Sequence, residues 1–333
     1  MSRPRLLTVP FLAALVPAVL FVAPPVASAQ GPCPGYADLL VRTARGEVNW
    51  GEQFLVAHGQ GRAPAAEAGT PSGRVKARRA AEVDAYAQAL ILALGLTLDG
   101  QQKVQEYVER TPAARGRLQA RIQQAQLVDE REVGGETRVT LRVPLFGVSG
   151  LALTFLDDPR LIPAAPSPSP PSPLGADVSG LIIDARQVKV GPALLLQVVD
   201  EQGQLVYDPS RVAPPALRER GTAAYAQCAG PARQRGELSP RLRPVSLTAS
   251  LLQAQAAPPP PRAGRRPLTV KAAGARGDLK VTVVVGQREA AEIQKADSKS
   301  GVLRNGNVLV VVDPVTAGVE GRLGGWESAR LLR

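Results

Sequence analysis

The chain reads as an α+β protein of two small domains, each a mostly antiparallel sheet with helices packed on one face, joined by a Pro-rich linker. Three observations predict that class. Strand-like alternation over residues 48–58 precedes a long helical stretch and then a hairpin signal. A proline-dense run at 157–173 divides the chain. Apolar, β-branched segments at 279–285 and 308–312 flank a short helix near the end. The boundaries that follow are 36–156 for the first domain, 157–176 for the linker, 177–313 for the second domain and 314–333 for a flexible tail.

In the first domain Val48, Trp50, Phe54, Val56 and His58 fall at even spacing and read as one strand, which Gly59 and Gly61 end. A loop from Ala63 to Gly73 leads to a helix over about Arg74 to Leu94. Val83, Ala87, Leu90, Ile91 and Leu94 make its apolar stripe, and Gly95 is placed to stop it. Further helical stretches cover about Gly100 to Arg110 and Ala113 to Gln124. Gln126 to Val133 and Glu136 to Phe146 then form a hairpin around Gly134-Gly135, a pair that tolerates the positive φ of a two-residue turn. Val139, Leu141, Val143 and Leu145 point to one face, and Pro144 marks the end of that strand or an edge.

The linker holds Pro159, Pro163, Pro166, Pro168, Pro170, Pro171 and Pro173, which favour an extended, semi-rigid backbone. The second domain opens with a strand over Val178 to Arg186. Ala193 to Asp200 reads as a buried strand, Glu201-Gln202-Gly203-Gln204 as a turn, and Leu205-Val206-Tyr207 as the return. A less regular middle contains the tract Pro258 to Pro261. Leu279 to Val285, Gln287 to Ala296 and Val308 to Val312 close the domain as strand, helix and strand. Gly318, Gly321, Gly324 and Gly325 mark the loose tail.

Residues 1–29 read as a secretory signal peptide. Arg3 and Arg5 precede an apolar run from Leu6 to Ala23, and the small residues Ala27 and Ala29 place a cleavage point after Ala29. Pro10 and Pro17 interrupt the run, which disfavours a retained anchor. The expected location is therefore periplasmic or otherwise exported, where disulfides persist. Gln30-Gly31-Pro32 before Cys33 does not fit a lipidation signal, so no acyl anchor is expected. Cys33 and Cys228 are the only cysteines and form the candidate disulfide. Such a bond would constrain the unfolded chain by roughly 4–5 kcal/mol in the entropy model. Two unpaired cysteines are the open alternative.

Only 4% of residues are aromatic, so the cores must rest on Ala, Val and Leu. Formal charge is +11, falling to +9 once Arg3 and Arg5 leave with the leader. A basic exported chain could contact anionic lipid, cell-wall polymer or nucleic acid. The arginines scatter, however, with short clusters only at Arg74–Arg79 and Arg262–Arg266. No aromatic residues accompany either cluster, which argues against nucleic acid. Genome base composition is the simpler explanation of the excess of Arg, Ala, Pro and Gly.

Catalytic constellations do not emerge. His58 is the sole histidine and, on its strand, shares the face of Phe54 and Val56, the pattern of a partly buried structural histidine. Gly59-Gln60-Gly61 begins like a dinucleotide fingerprint, but Pro64 stands at the third glycine and the helix starts too late. Asp129-Glu130 and Asp157-Asp158 are adjacent carboxylates that point in different directions, unlike a glycosidase pair. Calcium loops and a helical Ser-x-x-Lys box are missing from the sequence. The reading is non-enzymatic, with no catalytic, cofactor-binding or metal site and no cofactor.

The strand Phe54-Leu55-Val56-Ala57-His58-Gly59-Gln60-Gly61, the helix Ala77 to Leu90 and the hairpin ending Val139-Thr140-Leu141-Arg142-Val143-Pro144-Leu145 resemble the lipoprotein-20 family of bacterial envelope proteins. They are also similar to the amino-terminal domain of flagellar assembly protein T. The second domain, through Ser179 to Arg186, Pro192-Ala193-Leu194 and Ala290 to Asp297 into Val308 to Asp313, looks like an extension that some members carry. The resemblance implies an exported structural or assembly component of a flagellar or outer-membrane-associated complex. Its expected partners are envelope or flagellar basal-body proteins, with peripheral membrane or wall contact, self-association and no nucleic acid. The alternative is a periplasmic binding module for an anionic cell-wall or membrane ligand.

Overall fold

Strand β4 (Phe54–Arg62) buries Leu55, Ala57, Gly59 and Gly61 and turns the residues between them outward. Around it the computed structural model, which describes residues 36–162, 178–228 and 262–313, builds the first of two sheets. The other members are β2 (Leu40–Thr43), β3 (Gly46–Asn49), β5 (Gln126–Val133) and β6 (Glu136–Pro144), in the order β2-β3-β4-β6-β5, all antiparallel. The hairpin expected at 126–146 is present. Val133 pairs with Glu136, and Gly134 and Gly135 take φ of 60° and 76°. Val139, Leu141, Val143 and Leu145 are all buried, and β6 ends at Pro144.

Two sequence expectations fail here. The strand expected over 48–58 is a hairpin, because Asn49 folds the chain back. Its Oδ1 accepts from the backbone N–H of Gly51 and Glu52 at 2.9 and 2.8 Å, and Gln53 takes a positive φ of 61°. Gly59 and Gly61 do not end β4 but lie within it, paired with Val139 and Thr137.

Helix α1 (Pro71–Gly95) packs on β4 and β6. Thr70 caps it by accepting from the Gly73 N–H, with Pro71 in the first turn. The buried face is Gly73, Ala77, Ala81, Ala85, Ala89, Leu92 and Ala93, not the stripe of larger residues expected from periodicity, and Val83 is 59% exposed. Small side chains won because the glycines of β4 let the helix come close. Helices α2 (Val104–Arg110) and α3 (Pro112–Ile122) follow within the expected stretches.

The second sheet has eight strands in the order β1-β10-β13-β7-β11-β12-β8-β9. They are β1 (Tyr36–Asp38), β7 (Gly180–Asp184), β8 (Val198–Asp200), β9 (Leu205–Tyr207), β10 (Ala224–Cys228), β11 (Pro267–Arg276), β12 (Thr282–Val285) and β13 (Val308–Val312). Two more helices, α4 (Pro214–Arg220) and α5 (Gln287–Ser300), complete the described secondary structure apart from short 3-10 turns. The α+β class with two sheets thus holds. The second sheet is mixed: β10, β13, β7 and β11 run parallel. Parallel neighbours need long connections, and these four are separated in sequence by long segments. β7 and β13 are buried on both faces, which explains their unbroken apolar runs.

Helix α5 packs against β8, β9 and β11, and Gly301 ends it in the left-handed region with φ of 61°. The strand expected over 193–200 shortens to β8, because Leu194 and Leu195 donate instead to the carbonyls of Thr97 and Leu98 at 3.0 and 2.8 Å. Those bonds belong to one apolar core that joins the inner faces of both sheets. Trp50 and Tyr225 meet edge to face within it, 5.7 Å between ring centroids. At the start of the expected linker, Leu161 and Ile162 pack on this core. The expected leader over 1–29, residues 163–177 of the expected linker, the Pro258–Pro261 tract and the expected 314–333 tail lie outside the described residues.

Candidate functional site

The four parallel strands have two ends, and polar side chains gather at both. At the carboxyl end, the Arg186 side chain donates to Asp184 through Nε at 2.8 Å and Nη2 at 2.7 Å. The Arg186 guanidinium holds the Asp184 carboxyl below the usual carboxylate range. Arg186 Nη1 reaches Cys228 Sγ at 3.6 Å, and Cys228 pairs in register with Tyr36 of β1. Cys228 is disulfide-bonded. Cys33, the other half of the candidate pair, lies outside the described residues. This end is a closed structural cluster.

A second polar group links the first sheet's helices to the chain leaving them. Tyr107 donates to Asp158 Oδ2 at 2.5 Å, and Arg160 forks onto the same carboxylate at 3.1 and 2.9 Å. Arg160 and then Tyr107 push the Asp158 carboxyl far below its ordinary value. Burial, with Asp158 next in size, raises the Tyr107 phenol. Phe155 meets the Tyr107 ring edge to face at 5.4 Å. The adjacent carboxylates Asp157 and Asp158 do point apart: Asp158 braces this corner, and Asp157 pairs with Arg218 at 2.9 Å.

The amino end of the parallel strands is different. Arg262 spans the starts of β10 and β13, donating through Nη2 to the Gly221 carbonyl and through Nε to the Gly306 carbonyl, both at 2.8 Å. Arg220, the last residue of α4, crosses the same gap from Nη1 to Asn307 Oδ1 at 3.0 Å. Asn307 in turn donates to the Ser179 carbonyl at 3.1 Å, before β7. Among the described residues, every hydrogen-bond partner of the two guanidiniums is thus a neutral oxygen. The Nε of Arg220 is buried and has no hydrogen-bond partner among the described residues. Arg262 is half-buried as a residue, and its guanidinium is desolvated. Burial draws its pKa down to about 10, the Tyr207 and Tyr225 phenols oppose the shift, and the Arg220 charge adds to it.

Other residues singled out from sequence are dispersed. His58 is exposed, not partly buried, because the inward face of β4 carries the odd-numbered residues. Its Nδ1 lies 3.2 Å from Thr140 Oγ1. Gly59 and Gly61 face α1, which leaves no phosphate cradle there. Asp129 pairs with Arg131 at 2.7 Å and Glu130 with Arg78 at 3.3 Å. A shallow cleft of about 400 Å³ is lined by Gln101, Gln102, Glu106, Glu109 and Arg110. Among the described residues no group of three His, Cys, Asp or Glu side chains gathers as metal ligands would, and no helix is long and apolar enough to cross a membrane. Arg262–Arg266 stands out in the sequence as a short basic cluster, whereas Arg220 and Asn307 carry no such local signal. Nothing in the order of residues signals that the three meet.

Residues 180–314 match the family model described as the second domain of Treponema pallidum Tp0624. That span takes in every strand of the eight-stranded sheet except β1. No curated protein matches the chain.

Proposed function

We propose that this protein is an exported, non-enzymatic component of the cell envelope, with a structural or assembly role in a flagellar or outer-membrane-associated complex. The observation that carries the reading is the disulfide-bonded state of Cys228, since such bonds persist in oxidising compartments. Cys33 is its proposed partner, three residues before Tyr36, which pairs in register with Cys228. The leader over residues 1–29 supports the same location. The resemblance of the first domain to the lipoprotein-20 family and to the amino-terminal domain of flagellar assembly protein T supports the assembly role. In this reading the Asp184–Arg186 and Tyr107–Asp158–Arg160 clusters are braces that stiffen a scaffold, and the partners are envelope or basal-body proteins.

Fractionation of the native cell tests the proposal. The mature amino terminus is expected at Gln30, with the protein recovered from the envelope fraction together with other envelope components. A soluble interior protein that retains Met1 and carries a free Cys228 thiol would end it.

The alternative of an anionic-ligand module draws support from one feature, the guanidinium pair at the amino end of the parallel strands.

A further inference from the structure

We infer that Arg220 and Arg262 form a binding site for a phosphoryl group at the amino end of strands β10 and β13. The site rests on the anionic-ligand reading and not on the assembly role, so either can fail without the other.

Its geometry is built, not scattered. Arg262 is fixed by two backbone carbonyls from two different strand starts, Gly221 and Gly306. Arg220 is fixed by Asn307, itself tied to Ser179. Each guanidinium spends part of its donor set on these anchors and keeps the rest. The buried Nε of Arg220 is an unspent donor. A carbon on Gly306 would stand 2.8 Å from the Gly221 oxygen and 3.5 Å from Arg262 Nη2, so the two strand starts are held together tightly at this point.

Electrostatics supply the second argument. Two like charges stand close in a partly desolvated place, and no carboxylate pairs with either among the described residues. Asp208 accepts from Ser210 Oγ at 2.6 Å and Asp297 from the Leu303 N–H at 2.9 Å, and neither forms an ion pair with Arg220 or Arg262. Glu219, next to Arg220, is exposed to solvent, as are Arg265 and Arg266 beyond Arg262. An oxyanion carrying up to two charges would neutralise both guanidiniums and accept from N–H groups that the anchors leave unused. Planar arginine forks suit phosphoryl oxygens. The exposed Arg265 and Arg266 would add attraction if the group belonged to an anionic lipid surface.

The test uses the full chain, with inorganic phosphate and lipid vesicles as probes. Titration calorimetry at fixed ionic strength should show saturable phosphate binding that chloride does not reproduce. Arg220→Gln should weaken it by about tenfold or more while circular dichroism stays unchanged. Arg262 also bridges two strands, so Arg262→Lys serves as the second variant and should weaken binding in the same direction. Sedimentation with phosphatidylglycerol vesicles, competed by inorganic phosphate, would identify a lipid headgroup as the source. Phosphate binding without vesicle binding would identify a soluble phosphate. A phosphate response equal to that of chloride overturns the site. So does vesicle binding that Arg220→Gln leaves intact, because adhesion would then come from diffuse charge.

Discussion

Gly59 lies so close to helix α1 that a Cβ on it would stand 2.2 Å from the backbone nitrogen of Ala85. Gly61 has the same relation to Ala77, whose carbonyl oxygen would be 2.1 Å away. The Gly-x-Gly of β4 and the Ala77–Ala81–Ala85–Ala89 stripe of α1 are therefore two halves of one packing device. Backbone meets backbone, and neither side can add a methyl group without displacing the other.

Gly59→Ala should cost about 2–3 kcal/mol, since the rigid helix backbone has no side chain to swing aside. Gly134→Asn, in an open turn with φ of 60° and nothing within 4 Å, should stay within about 0.5 kcal/mol of the parent. Urea unfolding midpoints compare the two. Equal losses would contradict the close contact.

Asp158 gives the fold an acid-sensitive corner. Its carboxyl sits below its unfolded value because Arg160, then Tyr107, favour the charged form. A depressed acid stabilises above the unfolded pKa of about 4 and loses that contribution as pH falls below it. Tyr107→Phe should cost about 1 kcal/mol near neutral pH and shift the carboxyl titration upward, read by NMR. The shift should be partial, because Arg160 remains. A carboxyl that titrates unchanged would remove Tyr107 from the brace.

Cys228→Ser, or reduction of the native protein, should lower the melting temperature by removing a cross-link whose loop from Cys33 would enclose the whole of 36–176 and the start of the segment that follows. The entropy model sets an upper bound of roughly 4–5 kcal/mol. A melting curve indifferent to reductant would mean that the bond does not form or does not constrain the unfolded chain.

Asp184→Ala should cost more than Arg186→Met. Removing the acid takes away the carboxylate onto which a guanidinium only 11% exposed forks, whereas the methionine fills the space without a charge. A difference of about 1–2 kcal/mol in that order is expected. The reverse order in chemical denaturation would show that Asp184 holds more than its arginine.

Much of this architecture was legible in the order of residues. Gly134-Gly135 between alternating segments specified a hairpin and its register, because few turns fit two residues of positive φ. The apolar runs of β7 and β13 marked buried strands, and local periodicity placed α1, α2 and α3 within a few residues. Short segments were missed where local signal was thin. β1, β2, β10 and β11 are strands because neighbours distant in sequence pair with them, as Tyr36 does with Cys228. Asn49 was the readable clue to the turn that splits the expected first strand.

By itself, then, the sequence determined which segments could be strand or helix, since hydrophobic period and turn chemistry act over a few residues. Only the tertiary structure decided which face of α1 is buried, which strands run parallel and which arginines meet. Those outcomes depend on pairing across long stretches of chain. Arg220 and Arg262 stand 42 positions apart in sequence yet share the Gly221 turn, and no local pattern encodes that meeting.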